Sequence, residues 1–196
     1  MITKPSRTSS GVTVVAIMSK PKKCEHGKCI YCPGGPGSVF GDMPQSYTGS
    51  EPATMRGIRN KFDSYLQVFN RLEHYVLMNH DISKVELIIM GGTFMGFDKK
   101  YRDEFVGYAF KALNDFSKMF FDKEFNLEKF KKFFELPGEV DDKKRTIEIQ
   151  EKLLKLRNKC DLSKEQLRNE RSSVRCVGLT IETRPDFADL RYGNEM

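Results

Sequence analysis

The stretch CEHGKCIYCPGGPG occupies residues 24–37, and the rest of the chain is best understood from it. Cys24, Cys29 and Cys32 form a C-x4-C-x2-C array, which Pro33 and two glycines follow at once. Three thiolates on one flexible loop can converge on a soft metal centre: zinc, copper(I) or an iron–sulfur cluster. A structural zinc site closes its tetrahedron with a fourth protein ligand. No fourth cysteine follows at short spacing, so the array leaves open what completes the site.

Three interpretations of this array follow from the residues alone. The first is an iron–sulfur cube in which the cysteines hold three irons and the fourth iron is free for an outside ligand. Glycines around the array would let backbone N–H groups approach the sulfides closely. The second is a zinc knuckle with His26 as the fourth ligand. The third is a set of ordinary thiols, which the tight spacing on a glycine-rich loop disfavours.

Composition limits the class of protein. The 196 residues are 39% hydrophobic and 31% charged, which is typical of a globular chain and excludes a disordered one. No apolar run approaches the roughly 20 residues that span a bilayer, and the N-terminus lacks a signal-peptide profile. We therefore expect a cytoplasmic protein without a membrane partner. The two solitary cysteines, Cys160 and Cys176, do not suggest a disulfide framework.

Positive charge is concentrated in the first third of the chain. Residues 1–59 carry eight Lys or Arg against three Asp or Glu, a net charge of +5 out of +6 for the whole chain. Such a field around the cysteine loop would attract an anionic partner, for example nucleic acid or a phosphorylated cofactor. A solvated basic face explains the same charge equally well.

The alternation of apolar runs and amphipathic segments predicts an α/β fold with a parallel sheet. Short β-branched runs predict strands, the first two of them buried on both faces. The predicted elements are strands at 12–18, 85–90 and 176–183, helices at 52–79 and 99–116, and two or three surface helices within 117–170. The phenylalanines of that last region are interpreted as packing residues. Residues 20–50 are predicted to be a loop because prolines and glycines interrupt them throughout.

Three segments each follow a predicted strand at its carboxyl end. They are the cysteine loop, Gly91-Gly92-Thr93, and the ETRPD segment at 182–186. In parallel α/β sheets, ligands bind at the carboxyl ends of the strands. A glycine pair by itself is equally typical of a tight turn, but its position predicts that all three segments share one rim.

This set of motifs resembles the radical SAM enzymes and, within them, the archaeal-type catalytic subunit of Elongator. The segments that carry the resemblance are CEHGKCIYCPGGPG, QSYTGSEPATMRGIR, KVELIIMGGTFM and GLTIETRPD, which together span about residues 5–187. The resemblance implies parallel βα units that form the first half of a partial TIM-type radical SAM barrel, with a helical insertion before strand three. Residues 1–196 would then be an incomplete radical SAM core. Its implied parts are two βα units at 12–116 with the cluster loop at 20–50, the insertion at 117–170, and the third strand with a truncated end at 176–196.

The resemblance also implies roles for individual residues. The implied ligands of a 4Fe-4S cluster are Cys24, Cys29 and Cys32. The implied contacts to the methionine amino group of S-adenosylmethionine are Gly91, Gly92 and Thr93. Lys84 matches a lysine associated with acetyl-CoA binding. The residues that match without an assigned role are Glu182, Arg184 and Asp186, and no catalytic residue is implied.

The implied activity is that of a tRNA wobble-uridine carboxymethylating acetyltransferase. Cleavage of S-adenosylmethionine would give a 5′-deoxyadenosyl radical that activates the co-substrate acetyl-CoA for addition to uridine position 5. The implied partners are tRNA and a segment or second polypeptide that supplies the rest of the barrel and an acetyltransferase domain; a homodimer is a further option. We expect a fragment that is inactive in the full acetyltransfer reaction when alone, and poorly soluble because its sheet edge would be exposed. The alternatives are a zinc-containing RNA-binding module and an inactive remnant.

Overall fold

Three β-branched apolar runs form the strands of one sheet in the computed structural model, which describes residues 2–138 and 142–194. The strands are β1 (Thr13–Met18), β2 (Lys84–Met90) and β3 (Arg175–Ile181). The helices are α1 (Pro52–Arg59), α2 (Ser64–Leu77), α3 (Lys99–Phe120), α4 (Leu127–Phe133), α5 (Lys143–Leu156), α6 (Leu162–Asn169) and α7 (Leu190–Gly193). Short 3-10 turns occupy Pro5–Thr8, Phe94–Gly96 and Pro185–Phe187. In this part of the chain, no helix is long and apolar enough to cross a membrane.

The sheet has the order β1-β2-β3, and both pairs of strands are parallel. Leu87 lies at its centre, opposite Val15 on one side and Leu179 on the other. The three strands form an open sheet and do not close into a barrel. The predicted α/β fold with parallel βα units is therefore confirmed.

One face of the sheet is more deeply buried than the other. Alternate residues of β1 and β2 are fully buried and pack against α2 and α3. These residues are Val15, Ile17, Val85, Leu87 and Ile89. Their neighbours, such as Val14 and Ile88, are only half-buried. The prediction that both strands are buried on both faces is wrong, because the helices pack closely on one face only.

Side chains close the outer edge of β1. Three residues from α1 and α2 hydrogen-bond the backbone groups that β1 would otherwise offer to another strand. The bonds join Arg56 Nη2 to Ala16 O (2.6 Å), Gln67 to Met18 N and O (2.8 and 2.9 Å), and Tyr75 Oη to Val14 O (2.8 Å). Within the described residues, β3 pairs on one side only. The edge of β3 is therefore the more open one for a further strand.

The single helix predicted over 52–79 is two helices in the structure. Lys61 and Phe62 both have left-handed backbone angles, with φ of 53° and 54°, and end the helical path of α1. Asp63 then begins α2, since its side chain accepts a hydrogen bond from Leu66 N at 3.0 Å. Pro52 lies in the first turn of α1, as predicted.

The region between β2 and β3 is helical, as predicted, but the first of its helices ends later than predicted. Helix α3 continues to Phe120 instead of ending at Phe116, and α4, α5 and α6 follow it. The aromatic side chains of the region do pack in the core: Phe120, Phe130 and Phe134 are at most 2% exposed. The third strand ends at Ile181, two residues earlier than predicted.

Polar side chains attach the inserted helices to the α/β core. Arg145 of α5 forms a buried ion pair with Glu73 of α2. Asn114 of α3 donates hydrogen bonds to the Glu165 carboxylate (2.8 Å) and to its backbone carbonyl (2.9 Å) on α6. The insertion is therefore part of the packed structure and is not a separate unit.

Candidate functional site

The cysteine loop leaves β1 at its carboxyl end and has no helix or strand between residues 20 and 50. Cys32 is its anchored member. The Cys32 sulfur lies 3.0 Å from Gly34 O and 3.2 Å from Gln45 Oε1, and it accepts a hydrogen bond from Ser46 N at 3.3 Å. Later residues of the loop therefore hold the third cysteine in place.

The other two cysteines are half-buried and have different neighbours. Cys24 contacts the Arg184 guanidinium, and the Cys29 sulfur lies 2.9 Å from His26 Nε2. A hydrogen bond with Cys29 raises the pKa of the neighbouring Tyr31 hydroxyl. The described residues contain no group of three or more His, Cys, Asp or Glu side chains that could hold a metal ion. The structure thus places the three thiols on one loop without gathering them, or His26, around one point.

The donor set nevertheless suits a thiophilic metal centre. Three thiols lie within nine residues, and sulfur donors select zinc and iron–sulfur clusters. The first part of the loop is free of tight packing: Gly27 has open space around it and a φ of +90°, and Ile30 and Tyr31 are exposed. This segment can therefore move toward a metal without disturbing the sheet.

The two glycines that follow β2 lie where three chain segments approach one another. Gly91 and Gly92 have φ angles of 134° and 80°. A Cβ on Gly91 would lie 2.1 Å from Ser19 Oγ, and one on Gly92 would lie 2.8 Å from Gln45 O. Side chains at these two positions would push apart the ends of β1 and β2 and the cysteine loop.

Three hydroxyl groups at this rim are buried without a hydrogen-bond partner: Ser19 Oγ, Thr93 Oγ1 and Thr183 Oγ1. Each follows a different strand of the sheet. A buried polar group without a partner costs about 1–3 kcal/mol, and native proteins contain few of them. Three such groups at one rim indicate a place where a polar ligand would bind.

Glu182, directly after β3, connects the cysteine loop to the glycines that follow β2. The sequence alone assigns no role to this residue. Its Oε2 accepts hydrogen bonds from Gly91 N (2.9 Å) and Gly92 N (3.1 Å), while Oε1 accepts one from the Tyr47 hydroxyl (2.5 Å). Burial and the Glu182 carboxylate together raise the pKa of Tyr47 well above its ordinary value. The signal in the sequence was an acidic residue directly after the third strand, in the ETRPD segment.

Arg184 is a second residue whose contacts only the structure shows. Its guanidinium pairs with Asp186, contacts His26 Nδ1 and Cys24, and lies 5.3 Å from the centre of the Phe187 ring. The Asp186 carboxylate raises the pKa of Arg184 above its usual range. A cleft at this rim is lined by Cys24, Gln45, Gly91, Thr93 and Arg184, among others. The cysteine loop, the strand-two glycines and the ETRPD segment therefore do meet at one rim.

Lys84 does not lie at this rim. It is the exposed first residue of β2, at the amino end of the strand, whereas Gly91 follows the carboxyl end. Seven residues of parallel strand separate the two by roughly 20 Å. The structure does not bring Lys84 together with the other predicted site residues.

Comparison with known proteins shows which proteins this chain is similar to. No protein-family model matches the chain. It is 44% identical over 193 residues to a tRNA uridine(34) acetyltransferase of Methanocaldococcus jannaschii, covering 98% of this chain and 28% of that protein. It is 37% identical over 198 residues to Elongator complex protein 3 of Danio rerio, covering 98% of this chain and 29% of that protein.

A solved structure shows the same likeness in three dimensions. The archaeal Methanocaldococcus infernus Elp3, with residues 1–46 deleted, matches with a TM-score of 0.54 and 25% sequence identity. The match covers 95% of this chain and 26% of that one. The chain spans less than a third of the length of the curated relatives it matches. Over that span, the chain is a homologue of the archaeal tRNA uridine(34) acetyltransferases and of Elongator complex protein 3.

Proposed function

We propose that this chain is the radical SAM portion of an enzyme that carboxymethylates the wobble uridine of tRNA, with acetyl-CoA as co-substrate. One observation carries the proposal: the cysteine loop, the Gly91-Gly92 backbone and the Glu182 carboxylate meet at the carboxyl rim of a parallel sheet. The likeness to proteins named tRNA uridine(34) acetyltransferase supports the choice of substrate class.

The cysteines would hold the metal centre. Cys24, Cys29 and Cys32 would each bind one iron of a 4Fe-4S cluster, which leaves one iron without a protein ligand. When bound, the cluster would supply the electron that cleaves S-adenosylmethionine reductively, and the radical chemistry on acetyl-CoA would follow from that cleavage. The tasks of the chain itself are to bind, orient and shield these reactants. The exposed part of the loop gives access to the metal, while the anchored Cys32 connects the centre to the sheet.

The end of β2 would receive the methionine part of S-adenosylmethionine. Its ammonium group donates hydrogen bonds and needs acceptors. The Gly91 and Gly92 N–H groups already donate to Glu182, so the Glu182 carboxylate is the suitable partner for the positive charge. The hydroxyls of Ser19, Thr93 and Thr183 would gain the hydrogen bonds that they lack.

The tRNA would approach the rim from the side of the cysteine loop. Residues 1–59 hold most of the net positive charge, which suits contacts to phosphates. The Tyr31 ring is 81% exposed beside the cysteines and could stack on a base that has been splayed out of the RNA. We further propose a cytoplasmic location, and that additional barrel strands join at the open edge of β3.

Anaerobic reconstitution of the chain with iron and sulfide tests the proposal. We expect a brown chromophore at about 400 nm, typical of thiolate-bound clusters, and formation of 5′-deoxyadenosine from S-adenosylmethionine under reduction. Cys24→Ala should lose both. A cluster that forms but never cleaves S-adenosylmethionine would instead identify an inactive remnant.

A zinc-containing RNA-binding module is the second candidate. The observation that favours it is the 2.9 Å contact between His26 Nε2 and Cys29, since an imidazole near a thiolate is typical of structural zinc sites. In that case the chain would take up one zinc ion, His26→Ala would abolish uptake, and no chromophore would form. The iron–sulfur proposal predicts that His26→Ala retains the cluster.

A further inference from the structure

A groove runs along one face of α5, and the proposed function does not use it. Its apolar lining consists of Leu66 of α2 and of Ile147 and Leu154 of α5. Its volume is about 660 Å³, which lies within the range of sites that bind other molecules. The described residues that line it belong neither to the cysteine loop nor to the segments that follow β2 and β3. We call it the α5 groove.

Helix α5 carries apolar side chains on two faces. Ile149 and Leu153 lie on the first face and are buried in the core. Ile147 and Leu154 lie seven positions apart, two turns of the helix, and therefore share a second, nearly opposite face. They are 54% and 39% exposed. A surface helix normally carries polar residues on this side, so exposed apolar groups in a groove indicate a site of interaction.

Polar contacts fix the two walls of the α5 groove. Gln150 Nε2 donates hydrogen bonds to Arg59 O at 2.9 Å and to Asn60 Oδ1 at 3.1 Å, which connects α5 to the end of α1. Arg157, directly after α5, forms an ion pair with Asp63 at the start of α2. The groove is therefore formed before anything binds, and little conformational entropy would be lost on binding.

Positive charge exceeds negative charge around the apolar lining. Arg59, Lys61 and Lys143 line the groove together with one acidic residue, Glu151. The three cations are exposed, and within residues 2–138 and 142–194 none of them forms an ion pair. A binding partner of opposite charge would complement this surface.

We propose that the α5 groove binds an acidic amphipathic helix of a partner polypeptide. Apolar side chains at positions i, i+3 or i+4, and i+7 of that helix would pack on Ile147, Leu154 and Leu66. Its carboxylates would pair with the cations at the edge of the groove. The lining extends along α5 from Lys143 to Leu154, about 16 Å, which matches about three turns of a bound helix.

Two other occupants match the α5 groove less well. RNA would suit the charge, but no aromatic ring is found among the described residues that line the groove, and single-stranded bases are usually bound by stacking on such rings. A second copy of this chain would offer the exposed Leu167 of α6. That leucine lies beside Lys164 and Arg168, whose charges would be repelled by the groove.

Fluorescence anisotropy with the metal-free chain of 196 residues tests the proposal, so the result does not depend on whether a cluster forms. The probes are three labelled synthetic peptides, each held helical by a covalent staple. The first has leucines on one face and glutamates beside them, the second has lysines in place of the glutamates, and the third has the composition of the first with its leucines dispersed around the helix. We expect the first peptide to bind at least about tenfold more tightly than the other two.

Two outcomes of this assay would contradict the proposal. Equal affinity for the first peptide and either of the others would show that the groove does not select an acidic amphipathic helix. Tighter binding of a short single-stranded RNA oligonucleotide than of the first peptide would assign the groove to RNA and overturn the proposal.

Variants locate the binding site. Ile147→Asn should weaken binding of the acidic peptide about tenfold, because an apolar contact at the centre of the groove is lost. Leu167→Asn on α6 is the matched control and should leave the affinity unchanged. Arg59→Gln and Lys143→Gln should each weaken binding about threefold at low salt, whereas Lys100→Gln on α3 should not. All five side chains are exposed, so each variant should fold, which thermal unfolding checks.

Hydrogen exchange separates the α5 groove from the other exposed apolar surfaces. The acidic peptide should slow amide exchange within residues 143–154 and leave β3 unchanged. Protection of β3 instead, or equal weakening by Ile147→Asn and Leu167→Asn, would place the peptide elsewhere and overturn the proposal. Sedimentation tests the second-copy alternative: a dimer that Ile147→Asn dissociates would show that the groove binds another copy of this chain, which would also overturn it.

Discussion

The Tyr47 hydroxyl donates a hydrogen bond of 2.5 Å to the Glu182 carboxylate, across 135 positions of the chain. This bond fastens the cysteine loop to the end of the third strand. Since the same carboxylate accepts from the Gly91 and Gly92 N–H groups, the positions of the loop and of the strand-two glycines depend on each other.

Tyr47→Phe should loosen the cysteine loop. The variant removes the donor and leaves one Glu182 oxygen without its partner, which should lower the free energy of unfolding by about 1–2 kcal/mol. We expect faster proteolytic cleavage within residues 20–50, measured against Tyr108→Phe on α3 as the control. Equal cleavage rates in the two variants would show that the bond does not hold the loop.

Gly34→Ala should displace the loop by direct overlap. A Cβ at this position would lie 1.6 Å from Tyr47 O and 2.6 Å from Tyr47 C, so the backbone must move. We expect a loss of about 1–3 kcal/mol in chemical unfolding, typical of overpacking. Gly178→Ala is the matched control because its nearest neighbour would be Glu86 Cγ at 3.5 Å, an ordinary contact. A Gly34→Ala variant as stable as this control would contradict the close approach of Gly34 to the Tyr47 backbone.

Stability should fall between pH 6.5 and pH 4 because of His74. Its ordinary pKa is 6.5 and its pKa in the folded protein is about 4, so between these values the unfolded chain binds more protons. Its contribution to the free energy of unfolding is complete above pH 6.5 and is lost as the pH falls to 4. We expect a loss of about 2 kcal/mol after allowance for partial exposure. Urea unfolding across this range should show a flatter dependence for His74→Gln than for His26→Gln.

The two solitary cysteines should be inert and dispensable. Burial raises the pKa of Cys160 to about 11 and also raises that of Cys176, which lowers the thiolate fraction of both. In the metal-free chain at mildly alkaline pH, a thiol reagent should modify Cys24 and Cys29 first, as mass spectrometry would show. Cys160→Ala and Cys176→Ala should retain a reconstituted cluster. Loss of the cluster in either variant would mean that the assigned ligands are wrong.

Lys84→Ala tests the predicted acetyl-CoA contact independently of the residues at the carboxyl rim of the sheet. Because Lys84 lies at the amino end of β2, the variant should leave cluster formation and cleavage of S-adenosylmethionine unchanged. If Lys84 contacts acetyl-CoA, the affinity for this co-substrate should fall about tenfold, as expected when a charged hydrogen-bonding partner is lost. Calorimetric titration with acetyl-CoA measures this affinity, and Lys100→Ala on α3 is the exposed control.

Local patterns were sufficient for most of the fold. The strands at residues 13–18 and 84–90 are short β-branched runs, and the loop at 20–50 is dense in proline and glycine. The residue pattern does not predict the break between α1 and α2, although Asp63 is a typical helix-capping residue. Helical periodicity continues on both sides of the break, and the left-handed angles of Lys61 and Phe62 leave no compositional signal.

The sequence by itself determined the parallel α/β order, the cysteine array and the segments that follow each strand, because each depends on residue type and spacing along the chain. Only the tertiary structure decided that one sheet face is less covered and that Glu182 bonds Tyr47 and the glycines. These relationships join residues far apart in sequence. They depend on how helices and loops pack against the sheet, which no local pattern records.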